Sequence, residues 1–511
     1  MAKKAESPAK ERKHLFGSSE KSDFIVNMTV EGAQKMCGVY GIISILIIAV
    51  AATPAYFTQT IVDYTDEQSN AVHYLSENFI FYSAAAVMLL GIIGFLVYMI
   101  ACSKKLVSLK DNKALLVPLV IMILSAVACF CAYDIQSSML GYIGRHDGLL
   151  TILGCYGLFC VAMAVTADKW RLKFTDFIVG IGLVQSVVGI LQAIPATSGA
   201  MKNFFEYLYI RPGSETTELA AGEMYYNGGI SHMEGIYSHS RAASGFMTSP
   251  HALAAMLSVA FAFALAALAF DASGKRKIFC GISAPVIAAA ACLSRVIPAV
   301  VGIGTAAAII LIIAVVRAAK GGVSSLICAV AGIVISGAAA GILFGTGAAD
   351  FKDEQVIFTD GFVMRSLTYS YRENTDDDIY TYLRKDAEYI VSQKPMLGIG
   401  PDNQPYFMSE FGADTDRYYN EYLDIAVTRG VPCLIVYGIF LLISLLKAIK
   451  SMANFAMTGE NSVCAGASAA MIAYLAQAFF NTTWAVSTPY LFVATGLIWS
   501  YGAIKSAKKN K

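Results

Sequence analysis

The stretch "RYYNEYLDIAVTRGVPCL", Arg417–Leu434, runs from a polar, tyrosine-rich segment straight into an apolar one that continues to about residue 447. An apolar run of about 20 residues is long enough to cross a bilayer as a helix. Asn420 has the chemistry of an N-cap, and Glu421 or Asp424 in the first turn complements the helix dipole. Gly430 and Pro432 weaken the helix about two turns in, because Pro432 has no backbone donor. Polar groups crowding the mouth of a broken apolar helix point to a site where membrane meets water.

The same ruler applied outward gives spans near 36–54, 79–101, 115–135, 149–167, 175–194, 250–270, 277–294, 296–317, 323–346, 424–447, 462–480 and 486–505. About twelve helices follow. The break at Ser294–Arg295 separates the closest pair. Composition agrees: the 511 residues are 56% hydrophobic and only 15% charged, against about 25% charged in soluble domains. The expected fold is an all-α polytopic membrane protein. Its net charge of +1 gives no reason to expect nucleic acid as a partner. The 11 cysteines fall mostly in apolar runs, where they act as small hydrophobes.

Charge distribution sets the orientation. Lys104, Lys105, Lys110 and Lys113, then Lys169, Arg171 and Lys173, then Lys275, Arg276 and Lys277 occupy alternate loops. Arg317 and Lys320, Lys447 and Lys450, and finally Lys505, Lys508, Lys509 and Lys511 continue the pattern. Basic loops stay inside, so both termini are expected in the cytosol. Residues 1–35 read as a disordered cytosolic tail, basic and without the apolar core of a signal peptide. Residues 36–347 carry the first nine helices, 424–505 the last three, and 506–511 a short cytosolic tail.

Between these blocks lies a long acidic loop, 348–423. Its stretch "YTYLRKDAEYIVSQKP" reads as an amphipathic helix with Leu383, Ala387 and Ile390 on one side and Pro395 at its end. A helical cap on the outer face, before the tenth helix, is expected. "PMLGIGPDN" (Pro395–Asn403) has the glycines of a tight turn that folds the cap against the next helix. It lacks the Gly-Lys-Ser/Thr ending of a nucleotide loop. No inverted repeat of the transporter kind is evident.

Several charged or titratable residues face the outer side. Arg295, in "CLSRVIPAVVG", sits at a tight turn; it either binds phosphate with its planar fork or snorkels and pairs with an acid. Arg145, in "GYIGRHDGLL", has Asp147 as a ready partner. Arg241 precedes "SPHALAAML", where Ser249 is an N-cap, Pro250 the first helical residue and His251 lies in the first turn. His232 and His239 add no metal-ligand spacing, and no metal or other cofactor is expected.

Taken in order, these elements resemble the O-antigen ligase and polymerase family. "DRYYNEYLDIAVTRGVPCLIVYGIFLL" is similar to its His-Asn-x-Tyr-Leu motif and the helix after it. "KPMLGIGPDN", "CLSRVIPAVVGIG", "RAASGFMTSPHALAAML" and "GYIGRHDGLL" resemble its upstream elements, over about 140–440. The resemblance implies a twelve-helix, GT-C-like membrane fold. It also implies an inverting, metal-independent glycosyl transfer from an undecaprenyl-pyrophosphate-linked glycan to an acceptor glycan or glycolipid. The setting would be the outer face of a bacterial cytoplasmic membrane, among membrane lipids. Arg295, Arg241 and Arg145 are carried over as pyrophosphate-binding, with Arg365 or Arg384 as the large-loop arginine. Two departures stand out. Tyr419 occupies the family's histidine position, and His251 replaces an asparagine. Glu421 is then the nearest base, with Tyr419 and Asn420 beside it, and His251 a second candidate. A lipid-linked-glycan binder without catalysis, or a transporter or flippase, is the competing reading.

Overall fold

The computed structural model describes residues 28–51, 61–65, 71–75, 78–107, 113–142, 146–193, 243–247, 249–271, 274–346, 379–408, 417–458 and 462–509. At 61–65, 71–75, 78–81, 192, 379–382, 456–458 and 501–509 the description covers backbone alone.

Each apolar run singled out above carries a helix over most of its described residues. In chain order these are α1 (Val30–Ala51), α2 (Asn78–Ser103), α3 (Leu116–Phe130), α5 (Leu149–Ala164), α6 (Asp168–Ala193), α7 (Pro250–Phe270) and α8 (Gly274–Leu293). Then follow α9 (Ile297–Ala318), α10 (Val323–Gly345), α13 (Glu421–Thr458), α14 (Ser462–Gln477) and α15 (Thr488–Lys509). Among the described residues, nine helices are long and apolar enough to cross a membrane; α5 and α14 are shorter apolar helices. The chain is a multi-pass, overwhelmingly helical membrane protein. α1 begins at Val30, ahead of the expected start.

Among the described residues there are also α4 (Ile135–Leu140), α11 (Ile379–Gln393), α12 (Gln404–Met408) and a 3-10 turn at Lys113–Leu115. Two short strands among the described residues lie outside the helical reading. Strands β1 (Ile61–Thr65) and β2 (Ala71–Leu75) pair antiparallel, with Ile61 opposite Leu75. They occupy the link between α1 and α2.

α7 is the hub. Nearly all of its side chains are buried, and α6, α8, α9, α10, α14 and α15 pack around it. Its many alanines let those backbones come close, the usual packing device where lipid removes the hydrophobic driving force between helices. α2 and α5 go further: a Cβ on Gly91 would collide with the backbone of Gly154, and one on Gly157 with that of Gly91.

The antiparallel alternation sorts the loops between two ends of the bundle. Residues 131–142, 146–148, 243–247, 294–296, 394–408, 417–420 and 478–487 gather at one end. The described parts of the turns at 104–107, 165–167, 271 and 319–322 gather at the other. A 21-residue helix such as α7 separates these ends by about 30 Å.

Candidate functional site at the head of the kinked helix

α13 is two helices joined at Gly430, whose φ of 83° and ψ of 162° are non-helical. In an unbroken helix the N–H of residue 431 would bond the carbonyl of 427, and that of 432 the carbonyl of 428. Pro432 has no N–H to give, and the turn at Gly430 carries Val431 away. The Pro395–Gly400 turn repairs each loss. Ile399 N–H donates to Val427 O (2.9 Å), Gly400 N–H to Thr428 O (2.9 Å), and Val431 N–H to Pro395 O (2.8 Å). The approach requires glycine on both sides. Gly398 has φ 66°, and a Cβ there would meet the backbone at Val427–Arg429; a Cβ on Gly430 would meet that of Met396 and Leu397.

The same turn holds a second partner. Asp402 Oδ2 accepts from the backbone N–H groups of Tyr142 (2.7 Å) and Asp147 (3.1 Å). Asn403 Oδ1 accepts from Asp134 N–H (3.1 Å), and its amide donates to Asp134 O (3.2 Å). Asp134 caps α4, and the Ser137 hydroxyl holds its carboxyl below the usual range. Residues 395–403 therefore rivet the segment before α5 to the kink of α13, and this fixes Asp147.

Asp147 Oδ2 accepts from Arg417 Nη1 (3.0 Å), which also donates to Thr483 O (2.9 Å). The buried guanidinium lies over the Trp484 ring, 3.7 Å from its centroid. Asn481 orients that ring by accepting from Trp484 Nε1 (3.1 Å), and its amide donates to His251 O (2.9 Å). Ser249 caps α7 and Pro250 opens it, so His251 stands in the first turn. The ring of Tyr419 packs on His251, centroids 4.8 Å apart. Tyr419 is fully buried with φ 47°, an outlier for a bulky residue and worth about 1–3 kcal/mol of local strain.

Tyr418 is drawn toward α11: its hydroxyl donates to Asp386 Oδ2 (2.9 Å). Leu383, Ala387 and Ile390 of α11 bury against Ile399, Tyr418, Tyr419 and Val427, the apolar side expected of that helix. Burial pushes the Asp386 carboxyl above its usual range, and the Tyr418 hydrogen bond opposes this.

Asn420 is the N-cap of α13. Its Oδ1 accepts from Tyr422 and Leu423 N–H (3.1 Å each) and its amide donates to Phe479 O (3.2 Å). Glu421 is 2% exposed. Its Oε1 accepts from the Tyr437 hydroxyl (2.5 Å); Tyr474 stands near, its own hydroxyl 3.2 Å from Thr488 Oγ1. Glu421, Arg429, Asp147, Tyr437, Trp484 and Thr488 line a cavity of about 30 Å³. Asp424 accepts from the Thr482 hydroxyl and from Tyr418 N–H.

The fold thus brings Tyr419, Asn420, Glu421 and His251 together. Arg295 lies at the same end, buried, with φ 57° in the α8–α9 turn, which Ala243 N–H ties down through Leu293 O (2.9 Å). Arg384 stands on the exposed side of α11 and pairs with Glu388 (2.8 Å). Arg145, Arg241 and Arg365 lie outside the described residues. Asp147, read above as a partner for Arg145, is engaged by Arg417. Arg417 and Arg429 escaped the sequence reading although both stand in its opening stretch. A charge inside an apolar run, as at Arg429, is itself a functional signal.

Residues 261–438 match the family model of the O-antigen ligases. The match runs from within α7 to the second half of α13, and it supports an O-antigen ligase-like family for this chain. None of the curated proteins matches it.

Proposed function

We propose that the protein joins glycans by transfer from a polyprenyl-diphosphate carrier to a sugar hydroxyl, as an O-antigen ligase or polymerase. The observation that carries this reading is the concentration of buried ionisable groups at one end of the bundle. Arg417, Glu421, Asp424 and Arg429, near the C-terminal end of the family match, meet His251 and Asp147 from distant parts of the chain. Charges buried in a membrane bundle are costly, and function is the default explanation for them. Their chemistry suits the reaction. Glu421 takes the proton of the acceptor hydroxyl, whose oxygen attacks the anomeric carbon while the bond to diphosphate breaks. The electron pair leaves with the diphosphate, where Arg295 and the resemblance-derived Arg145, Arg241 and Arg365 would oppose the growing charge. The donor is an undecaprenyl-pyrophosphate-linked glycan on the outer face of a bacterial cytoplasmic membrane, with both chain termini in the cytosol. His251 packed on Tyr419 keeps an imidazole beside the position where the resembled family carries histidine.

A non-catalytic binder of lipid-linked glycan is the second reading, favoured by Tyr419 itself. Deletion of the gene and analysis of surface polysaccharide separates them. Short single units accumulating on the lipid indicate a lost polymerase, and intact lipid-linked polymer without transfer a lost ligase. Unchanged surface glycan and unchanged lipid-linked pools overturn the transferase reading.

A further inference from the structure

A second cavity, of about 710 Å³, runs along α6, away from the head of α13. Ligand sites usually measure about 300–1,000 Å³. Leu46 and Val50 of α1, Phe177 and Gly180 of α6, Phe279 of α8 and Phe246 line it. Its floor is α6 and its sides are α1 and α8, all three long and apolar enough to cross a membrane. The cavity is a wedge. Toward the basic end α1 lies directly on α6, because a Cβ on Gly38 or Gly41 would meet the rings of Trp170 and Phe174. Asp176, the lining residue of α6 nearest that end, is paired with Arg276 of α8. Beyond these contacts the floor is bare: a Cβ on Gly180 would meet nothing within 4 Å. Val50 and Val184 are exposed, so the wedge opens toward the bilayer. It reaches the loops of the other end at Phe246, whose N–H donates to Gln185 Oε1 (2.7 Å). Three residues earlier, Ala243 N–H bonds Leu293 O (2.9 Å), two residues before Arg295.

We propose that this wedge between α1 and α8 receives the polyprenyl chain of the lipid-linked donor, with the diphosphate at the Arg295 turn. The inference rests on the polyprenyl-diphosphate reading and assigns where the carrier lies. Three observations favour this occupant over a bilayer phospholipid. The wedge is closed toward the basic end, so a chain enters it only from a lipid whose head stands at the other end. Its two polar lining residues are engaged, Asp176 by Arg276 and Gln185 by Phe246, which leaves apolar walls and a single slot that suits one chain rather than two. The 243–247 segment both rims the wedge and ties down the Arg295 turn, so a head at one and a tail in the other belong to one molecule. From Asp176 to Gln185 the floor is about 14 Å long at 1.5 Å per residue. It holds the first few isoprene units and leaves the rest of the chain in the bilayer. Burial of those units adds affinity that the diphosphate alone lacks.

The test uses the full chain in lipid nanodiscs, as wild type, Gly180→Trp and, on the exposed face of α10, Ile327→Trp as a control. Binding of undecaprenyl diphosphate and of inorganic diphosphate is measured for each. A photoreactive undecaprenyl diphosphate is then crosslinked and the labelled residues are read by mass spectrometry. Gly180→Trp fills open space and removes a helix-weakening glycine, so it is expected to melt no lower than wild type. It should weaken undecaprenyl diphosphate about tenfold, the worth of roughly two buried methylene groups, and leave inorganic diphosphate unchanged. Ile327→Trp should bind both as wild type does. Label is expected on α1 and on residues 177–184 of the wild type. Unchanged binding of undecaprenyl diphosphate to a folded Gly180→Trp, an equal loss for both probes, or label confined to residues outside the wedge would each overturn the assignment. Phospholipid that co-purifies in the wedge and resists displacement by undecaprenyl diphosphate would overturn it too. Should Gly180→Trp fail to fold, the labelling of the wild type decides alone. A wild type labelled in the wedge that transfers no glycan upholds the wedge and refutes the transferase reading, which keeps the two failures apart.

Discussion

Arg276 and Arg429 are both arginines of low exposure, at opposite ends of the bundle, and they are treated oppositely. Every nitrogen of Arg276 is engaged. Nε donates to Asp176, Nη1 to Asp271 and to Ser462 Oγ (3.1 Å), and Nη2 to Thr175 Oγ1 (2.7 Å). Nearby, Arg171 donates to Leu497 O (3.3 Å) and the Cys464 sulfur (3.4 Å), while its Nε is left without a hydrogen bond among the described residues, so saturation belongs to the Arg276 network and not to that whole end. At the other end Arg429 Nε has no such partner among the described residues. A saturated network closes α6, α7, α8 and α14 into one body and has nothing left to offer a ligand. An unsaturated one costs stability and stays only where something else completes it. On the proposed function, the contrast between these two arginines sets structural charge apart from functional charge.

The comparison breaks most visibly at the saturated network. Arg276→Met leaves Asp176 and Asp271 without their cation; Asp176 is partly solvated, so the cost falls mainly on Asp271, at about 3 kcal/mol. Thermal unfolding in nanodiscs is expected to show that loss, while the protein that remains folded transfers glycan at the wild-type rate. A variant that is stable but slow would make this end part of the site and erase the distinction.

Gly430→Ala sharpens the picture at the site end. The added methyl meets the backbone of Met396, and the positive φ disfavours alanine. A destabilisation of about 1–3 kcal/mol is expected, together with easier proteolysis of the 395–403 turn. If cleavage there is unchanged, the turn is not held by the kink. Asn420→Ala is milder. Its oxygen caps two backbone N–H groups of α13, and such caps are worth about 1 kcal/mol. The loss should appear in melting temperature. A rate loss larger than the stability loss would give Asn420 a direct part in the chemistry.

What the sequence made legible was local. The apolar runs announced their helices, Ser294–Arg295 its break, Gly430 and Pro432 the kink, and Asn420 the cap, because each signal lies within a few residues of its effect. Leu383, Ala387 and Ile390 showed the buried face of α11 by spacing alone. The site was only half legible. Arg417 finds Asp147 about 270 positions away, and Trp484 stacks under it from beyond α14; no local pattern encodes such meetings. The β1–β2 hairpin was missed because it is short and sits between two strong helical signals. His251 was offered as a second base only if the fold brought it near. The contact with Tyr419 depends on a left-handed tyrosine, which no propensity would place.

The smallest expected effect concerns Asp386, where α11 meets Tyr418. Burial raises its carboxyl above the value in the unfolded chain, so the folded protein holds the proton to higher pH. Stability linked to this group is therefore fully present below the unfolded value of about 3.9. It falls as pH rises through the window between the unfolded and folded values, because there the native state binds more protons. The Tyr418 hydroxyl, which bonds the ionised form, narrows that window. Asp386→Asn keeps an oxygen for Tyr418 and removes the ionisation. It should leave stability at neutral pH within about 0.5 kcal/mol of wild type or slightly higher. The melting temperature should also lose a small downward slope with pH on the acidic side. If Asp386→Asn instead melts clearly lower at neutral pH, the carboxylate charge is needed where α11 docks. That helix would then share the electrostatics of the site, and the boundary between structural and functional charge would pass through α11.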